Sequence, residues 1–209
     1  MQAIPILTEG FVVTLEITVI SLIIALVIGL IIGLLNTSRS KILRGIGVSY
    51  VDFVRGTPLL VQIFMIYFGI PYALDIKIDE MVAGIAAISI NAGAYMAEIF
   101  RAGILSVDKG QMEAARSLGL NHTQAMRLVV LPQAIRRMIP AFVNQAIVSL
   151  KDTSLLTVIG IRELTNSGEI IISGNYRIFE IWTTVAVFYF IFIHALTLFS
   201  RYLERRLTN

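Results

Sequence analysis

The chain has 209 residues, of which 56% are hydrophobic and only 15% charged. A soluble domain of this length cannot hide so much apolar surface, so the composition indicates an integral membrane protein. A net charge of +3, with the basic residues scattered at segment ends, argues against a nucleic-acid binder, and the lack of cysteine rules out disulfides.

The first ten residues, MQAIPILTEG, carry neither a basic region nor a small-residue cleavage site, so a typical cleaved signal peptide is not expected. Residues 11–35 then form an apolar run long enough to cross a ~30 Å hydrocarbon core with tilt. It holds one acid, Glu16, near its outer end, and Gly29 and Gly33, whose spacing allows close helix approach within the chain or between copies. A loop with Arg39, Lys41, Arg44 and Arg55 follows. Residues 59–74 make a short second span, with Pro58 suited to a first helical turn. The third span, 81–105, carries Asn91, Tyr95 and Glu98 at i, i+4, i+7, a polar stripe along one face.

Between the third and fourth spans lies a charged insertion, 108–132. Asp108 with Gln111 has the reciprocal spacing of a capping box, and Gly119 suits the left-handed residue after a helix ending at Leu118. Met112, Ala115 and Leu118 give this short helix an apolar face, and Glu113 and Arg116 a charged one. Asn121 with Gln124 repeats the cap, and a second helix is expected to run to Pro132.

The fourth span, 139–161, is polar in its middle at Lys151, Asp152, Thr153 and Ser154, with Asn144, Ser149 and Asp152 on one broad face. A Lys or Asp at a helix centre costs about 2.5–3.5 kcal/mol, so these residues face other helices or a water-filled cavity. The stripes read as a substrate path. Other roles stay open: an ion pair from Lys151 or Asp152 to other helices, Glu98 paired with Arg101 or Arg137, Asn91 as interhelical glue, Glu16 at the interface. A fifth span, 179–200, completes an all-α membrane protein of five helices, a single domain over 1–209 with a cytoplasmic segment at 108–132.

Positive charge orients it. Arg39, Lys41, Arg44 and Arg55, then Arg101, Lys109, Arg116, Arg127, Arg136 and Arg137, then Arg201, Arg205 and Arg206 share one side. Only Lys77, Arg162 and Arg177 lie opposite. The N-terminus is therefore expected outside, and the C-terminus and the 108–132 hairpin in the cytoplasm. No G-x-x-x-x-G-K-[ST] loop is present, His122 and His194 lack metal-ligand spacing, and no Ser-His-acid set is evident.

Glu113-Ala114-Ala115, three residues, Gly119, nine residues, then Val129-x-Leu131-Pro132 resembles the EAA signature of bacterial ABC-importer permeases. Arg55 to Gln62 (RGTPLLVQ), Tyr67-Phe68-Gly69, Ala94 to Arg101 (AYMAEIFR), Gly110-Gln111, Lys151 to Leu155 (KDTSL) and Glu204-Arg205-Arg206-Leu207 extend the resemblance to the polar-amino-acid branch over nearly the whole chain. Glu16 is not recognised as a family feature.

The resemblance implies a type I ABC importer permease fold in the bacterial cytoplasmic membrane. It also implies a second permease subunit, expected to be identical, two cytoplasmic ATPases that bind ATP and Mg, and an external amino-acid-binding protein. The coupling helix would comprise Glu113, Ala114, Ala115, Arg116, Leu118 and Gly119. A substrate path would draw on Asn91, Tyr95, Glu98, Asn144, Lys151, Asp152, Thr153 and Ser154. Glu16, Glu98 and Asp152 against Lys151 alone leave two net negative charges, which favours a basic amino acid such as arginine, lysine or histidine. The rival reading is an ion-coupled secondary transporter, which has no need of the cytoplasmic hairpin.

Overall fold

The computed structural model describes residues 3–38 and 40–208, so Arg39 lies outside it, and the described residues form helices joined by short connections without a strand. Helix α1 (Ala3–Asn36) is apolar all round and packs along α5 (Glu80–Leu105). The residues between α1 and the elbow, expected as a loop, form the amphipathic helix α2 (Lys41–Arg55). Its Gly47, Val51 and Val54 recur at helical spacing and are buried, which is why a basic stretch folds as a helix here. The chain turns through 103° at Gly56-Thr57-Pro58. It continues as α3 (Leu59–Phe64), a π turn (Met65–Gly69) and α4 (Ile70–Leu74).

The hairpin consists of α6 (Lys109–Ser117) and α7 (His122–Ala125). A second π turn (Met126–Val130) leads directly into α8 (Leu131–Asp152). The expected stop at Pro132 is thus not made. A proline lacks only the N–H of its own position, and at the start of α8, just after the wider turn, that donor is not needed. Polar residues 151–154 fall where α8 narrows to a 3-10 stretch (Thr153–Ile159), which ends at Gly160 with φ 86°. Helices α9 (Leu164–Asn175) and α10 (Ile178–Thr208) follow. Among the described residues, α1, α5 and Ile178–Arg206 are long and apolar enough to cross a membrane. The bent pair Lys41–Arg55 and Leu59–Leu74 makes a fourth if it is one span.

Apolar cores hold these helices at three levels. Leu7, Leu164, Ile181 and Val185 join α1, α9 and α10. Ile17, Ile63, Ile88 and Leu156 meet in the middle, and Val107, Val130, Ala134 and Met138, with Ile104 of α5 and Met112 of α6 packed against them, join α5, the hairpin and α8. At the first level sits Glu163, fully buried, accepting from the Asn166 amide at 2.8 Å and from the Tyr189 hydroxyl at 3.0 Å. Burial pushes its carboxyl above the ordinary value despite these bonds. Thr14 of α1 takes the next amide, Leu164 N–H, at 3.2 Å. Glu16, two residues on, points to the exposed side of α1.

The Gly29 and Gly33 pair serves contact within the chain. A Cβ on Gly29 would stand 2.6 Å from Met96 Cβ and 3.1 Å from the Ala97 nitrogen, and one on Gly33 would stand 3.3 Å from Phe100 Cβ. Gly29→Val is therefore expected to overpack the α1–α5 seam at a cost of about 1–3 kcal/mol. It should lower the thermal midpoint of the detergent-solubilised protein. Gly45→Ala on α2, where a Cβ meets nothing within 4 Å, should be stable or gain roughly 0.5–1 kcal/mol in the same measurement.

Candidate functional site

The site grows from the elbow after α2. Gln62, one turn into α3, turns its amide back and donates to the carbonyls of Val54 at 2.8 Å and Thr57 at 3.1 Å, and to Thr57 Oγ1 at 2.9 Å. These acceptors lie where α2 ends, and such orphan carbonyls need partners in an apolar setting. The Gln62 Oε1 accepts from Asn91 Nδ2 of α5 at 3.2 Å, so one side chain ties the elbow to the polar stripe.

The elbow delivers Arg55 onto that stripe. Its guanidinium carbon sits 5.1 Å from the Tyr95 ring centroid, and Nη1 is 3.5 Å from Glu98 Oε2. Glu98 also receives a two-pronged bond from Arg101, at 3.0 Å and 2.9 Å, one helical turn away. Two cavities meet at Arg55 and Tyr95. One, of about 530 Å³, is lined by Glu98 on α5, Arg137, Asn144 and Gln145 on α8, and the shared pair. The other, of about 470 Å³, adds Thr57, Asn91 and Asp152. Both fall in the volume range of small-molecule sites. Arg137 donates to the Ser106 carbonyl at the end of α5, closing one edge of the first cavity.

Asn91, Tyr95, Glu98, Asn144 and Asp152 are therefore brought together. Lys151, Thr153 and Ser154 are not, since none of them lines either cavity. Lys151 is exposed. Thr153 and Ser154 donate their hydroxyls to the carbonyls of Leu150 and Lys151, at 2.8 Å and 2.7 Å, at the point where α8 ends. Ser149 is buried and takes the Gln145 amide at 3.3 Å.

Sequence reasoning missed Arg55, Arg137, Gln62 and Gln145. Arg55 entered as a topology-setting charge and as the first residue of the RGTPLLVQ stretch, Arg137 as a charge and an alternative partner of Glu98, and the signal that marks Arg55 is the Gly-Thr-Pro turn directly after it. The balance changes accordingly. Arg55 and Arg137 face Glu98 and Asp152, while Lys151 and Glu16 stand apart, so the cavities hold no net negative charge.

In the hairpin, Gly119 adopts φ 90°, and the Leu120 amide reaches the Ala115 carbonyl at 3.3 Å, the bond pattern of a left-handed helix stop. The Asn121–Gln124 capping box forms with both bonds at 2.9 Å. The expected Asp108–Gln111 box does not. Asp108 caps the Gly110 amide instead, and Gln111 accepts from Gln133 of α8 at 3.2 Å. Ala115 is buried and Met112 packs against Val107, Val130, Ala134 and Met138, but Leu118 is 85% exposed rather than on the packed face, because α6 has already ended at Ser117. Glu113, Ala114 and Arg116 are also exposed.

The sequence profile of the family described as "Binding-protein-dependent transport system inner membrane component" matches residues 3–209. The glutamine transport system permease protein GlnP of Escherichia coli (strain K12) is 48% identical over 206 residues, 98% of this chain and 94% of the relative. The arginine transport system permease protein ArtQ of Bacillus subtilis (strain 168) is 36% identical over 206 residues, 99% of this chain and 94% of the relative. A crystal structure of an amino acid ABC transporter with histidines contains a chain that is 42% identical. It superposes with a TM-score of 0.93 over 97% of this chain and 94% of its own.

The Gln62 clamp is open to direct measurement. Gln62→Leu strands the Asn91 amide and removes the donor from two carbonyls, at an expected cost of about 1–3 kcal/mol in unfolding stability. Adding Asn91→Leu should cost little more, because the pair acts as one unit. Equal and additive losses in a double-mutant cycle would show that the two side chains are independent.

Proposed function

This chain belongs to the binding-protein-dependent transport system inner membrane components, and we propose that it is the subunit that forms the path of an ATP-driven amino-acid importer. The observation that carries the reading is one continuous helical lever. An exposed hairpin passes through a π turn, without a break, into the helix that lines both cavities.

In this reading α6 seats in a partner ATPase that binds ATP and Mg. Glu113, Ala114, Arg116 and Leu118 form the docking face, Ala115 the anchor, and Gly119 the turn that aims it. The segment 59–74 and the run from α8 into the 3-10 stretch supply the second and fourth crossings of a five-span domain. The N-terminus lies outside and the C-terminus in the cytoplasm. Both cavities are open on one side, and a second copy of the chain closes them. An external binding protein delivers the substrate. The hairpin has no task in an ion-coupled carrier, which leaves that reading without support.

The substrate class follows from the cavity. A zwitterion needs a cation for its carboxylate and an anion for its ammonium group. Arg55 or Arg137 serves the first and Asp152 or Glu98 the second, with Asn91, Tyr95 and Asn144 completing the hydrogen bonds. Lys151 stands beside Asp152, and Thr153 and Ser154 serve by ending α8. Glu98 is already held by two arginines, so no surplus negative charge awaits a cationic side chain. This favours a neutral polar amino acid such as glutamine over the basic substrates that the sequence's charge count favoured. Relatives named for glutamine and for arginine are both similar to the chain.

In proteoliposomes bearing the full complex, unlabelled glutamine is expected to block uptake at concentrations where arginine and lysine do not. The reverse order would restore the basic reading. A second test addresses coupling. Gly119→Val forces a β-branched residue into positive φ at a cost of about 1–3 kcal/mol, confined to an exposed turn. The variant should reach the membrane in normal amount yet lose most ATP-driven uptake. Normal uptake would refute the docking role.

A further inference from the structure

Helix α2 has more apolar surface than the core uses. Gly47, Val51 and Val54 are buried against the neighbouring helices, but Ile42, Ile46 and Phe53 form a second stripe at i, i+4, i+11. They are 76%, 55% and 69% exposed. At the elbow this stripe runs into an apolar groove of about 260 Å³, whose walls include Phe53, Val61, Met65, Ile66 and Ile70. The π turn at Met65–Gly69 gives the groove its far wall. A continuous apolar surface therefore occupies the inner corner of an L made by a 103° bend.

The angle identifies the occupant. If 59–74 crosses the bilayer, α2 lies nearly in the membrane plane, and the positive-inside rule places it at the cytoplasmic leaflet. The stripe then faces the hydrocarbon. Arg44 projects on the opposite side of α2, toward water and headgroups, by the 100° step between helical residues. Lys41 is exposed too, and neither makes an ion pair among the described residues. This is the arrangement of an interfacial amphipathic helix. A chain filling the corner must run beneath α2 and parallel to α3, which is the direction of an acyl chain in that leaflet.

The geometry points to a phospholipid site at this elbow, with one acyl chain of the cytoplasmic leaflet in the groove and the stripe of α2 floating on its neighbours. A helix from a second copy is the competing occupant. It would have to bury an exposed phenylalanine and yet leave the basic side of α2 in water, and the walls of the groove are almost wholly apolar. The groove lies on the other side of the elbow from the cavities and shares Thr57 with the second of them, and Arg55 is borne on the same helix two residues after Phe53.

The chain has no cysteine, so each single-cysteine variant carries one labelling site in this chain, and the unsubstituted complex gives the background. Ile46→Cys, Phe53→Cys and Ile70→Cys, each labelled with bimane in the full complex in nanodiscs, would be probed with spin-labelled phosphatidylcholine and with aqueous iodide. Retained uptake certifies the fold of each variant. The expected result is quenching of the first two positions by lipid labelled high on the chain, and of Ile70→Cys by lipid labelled near the chain end, with little effect of iodide. Filling the groove with Val61→Trp should abolish the deep signal at Ile70→Cys and leave Ile46→Cys unchanged. Quenching by iodide overturns the proposal by showing a wet face. Protection from every quencher, with Phe53→Cys crosslinking between copies, overturns it in favour of a protein interface.

Discussion

Most of the site depends on one side-chain amide. Gln62 satisfies the carbonyls left bare where α2 stops and holds Asn91 with its remaining oxygen. In an apolar surround each of those groups costs free energy if left alone. The sharp elbow is stable because this amide, with the Thr57 hydroxyl on the Phe53 carbonyl, answers them together. Arg55 owes its position to that elbow, and through Arg55 the ring of Tyr95 and the carboxylate of Glu98 are set in place. The cavity is thus organised from a turn, outside the long apolar helices that give the protein its mass.

Those long helices were the most legible part of the sequence. Residues 11–35, 81–105 and 179–200 declare themselves by length and apolarity, and each lies within α1, α5 or α10. The hairpin was nearly as clear, since Gly119 and the Asn121–Gln124 pair are local signals that tertiary contacts do not override. Local signals misled where a long-range partner competes for the same group. Gln111 fits a capping box by spacing, yet its side chain is held by Gln133, twenty-two positions away. Pro132 fits a helix stop, but the preceding π turn removes the reason to stop.

Half of the candidate site was legible. Asn91, Tyr95 and Glu98 could be read from a stripe on one helix. Asp152 stood out because a charge in a span is expensive. Arg55, Arg137 and Gln62 could not be read this way. Arginines at segment ends are indistinguishable in sequence whether they set topology or turn inward, and a glutamine in a short span carries no period. Thr153 and Ser154 show the converse error. They are polar at the right depth, but their hydroxyls are spent on the last carbonyls of α8. Depth alone does not tell a residue that lines a path from one that finishes a helix.

The π turn at Met126–Val130 also bears on what changes in length the chain tolerates. A π turn holds one residue more than the α-helical turn it replaces. It therefore sets the rotational phase of everything after it, at ~100° per residue. Asn144, Gln145 and Asp152 face the cavities only in the present phase. Removing one residue from 126–130 would let the helix revert to an ordinary α-helix, with every later bond intact and a different face turned inward. The segment behaves as a register key. Substitutions there are judged by packing, whereas insertions and deletions are judged by which side of α8 faces the cavities.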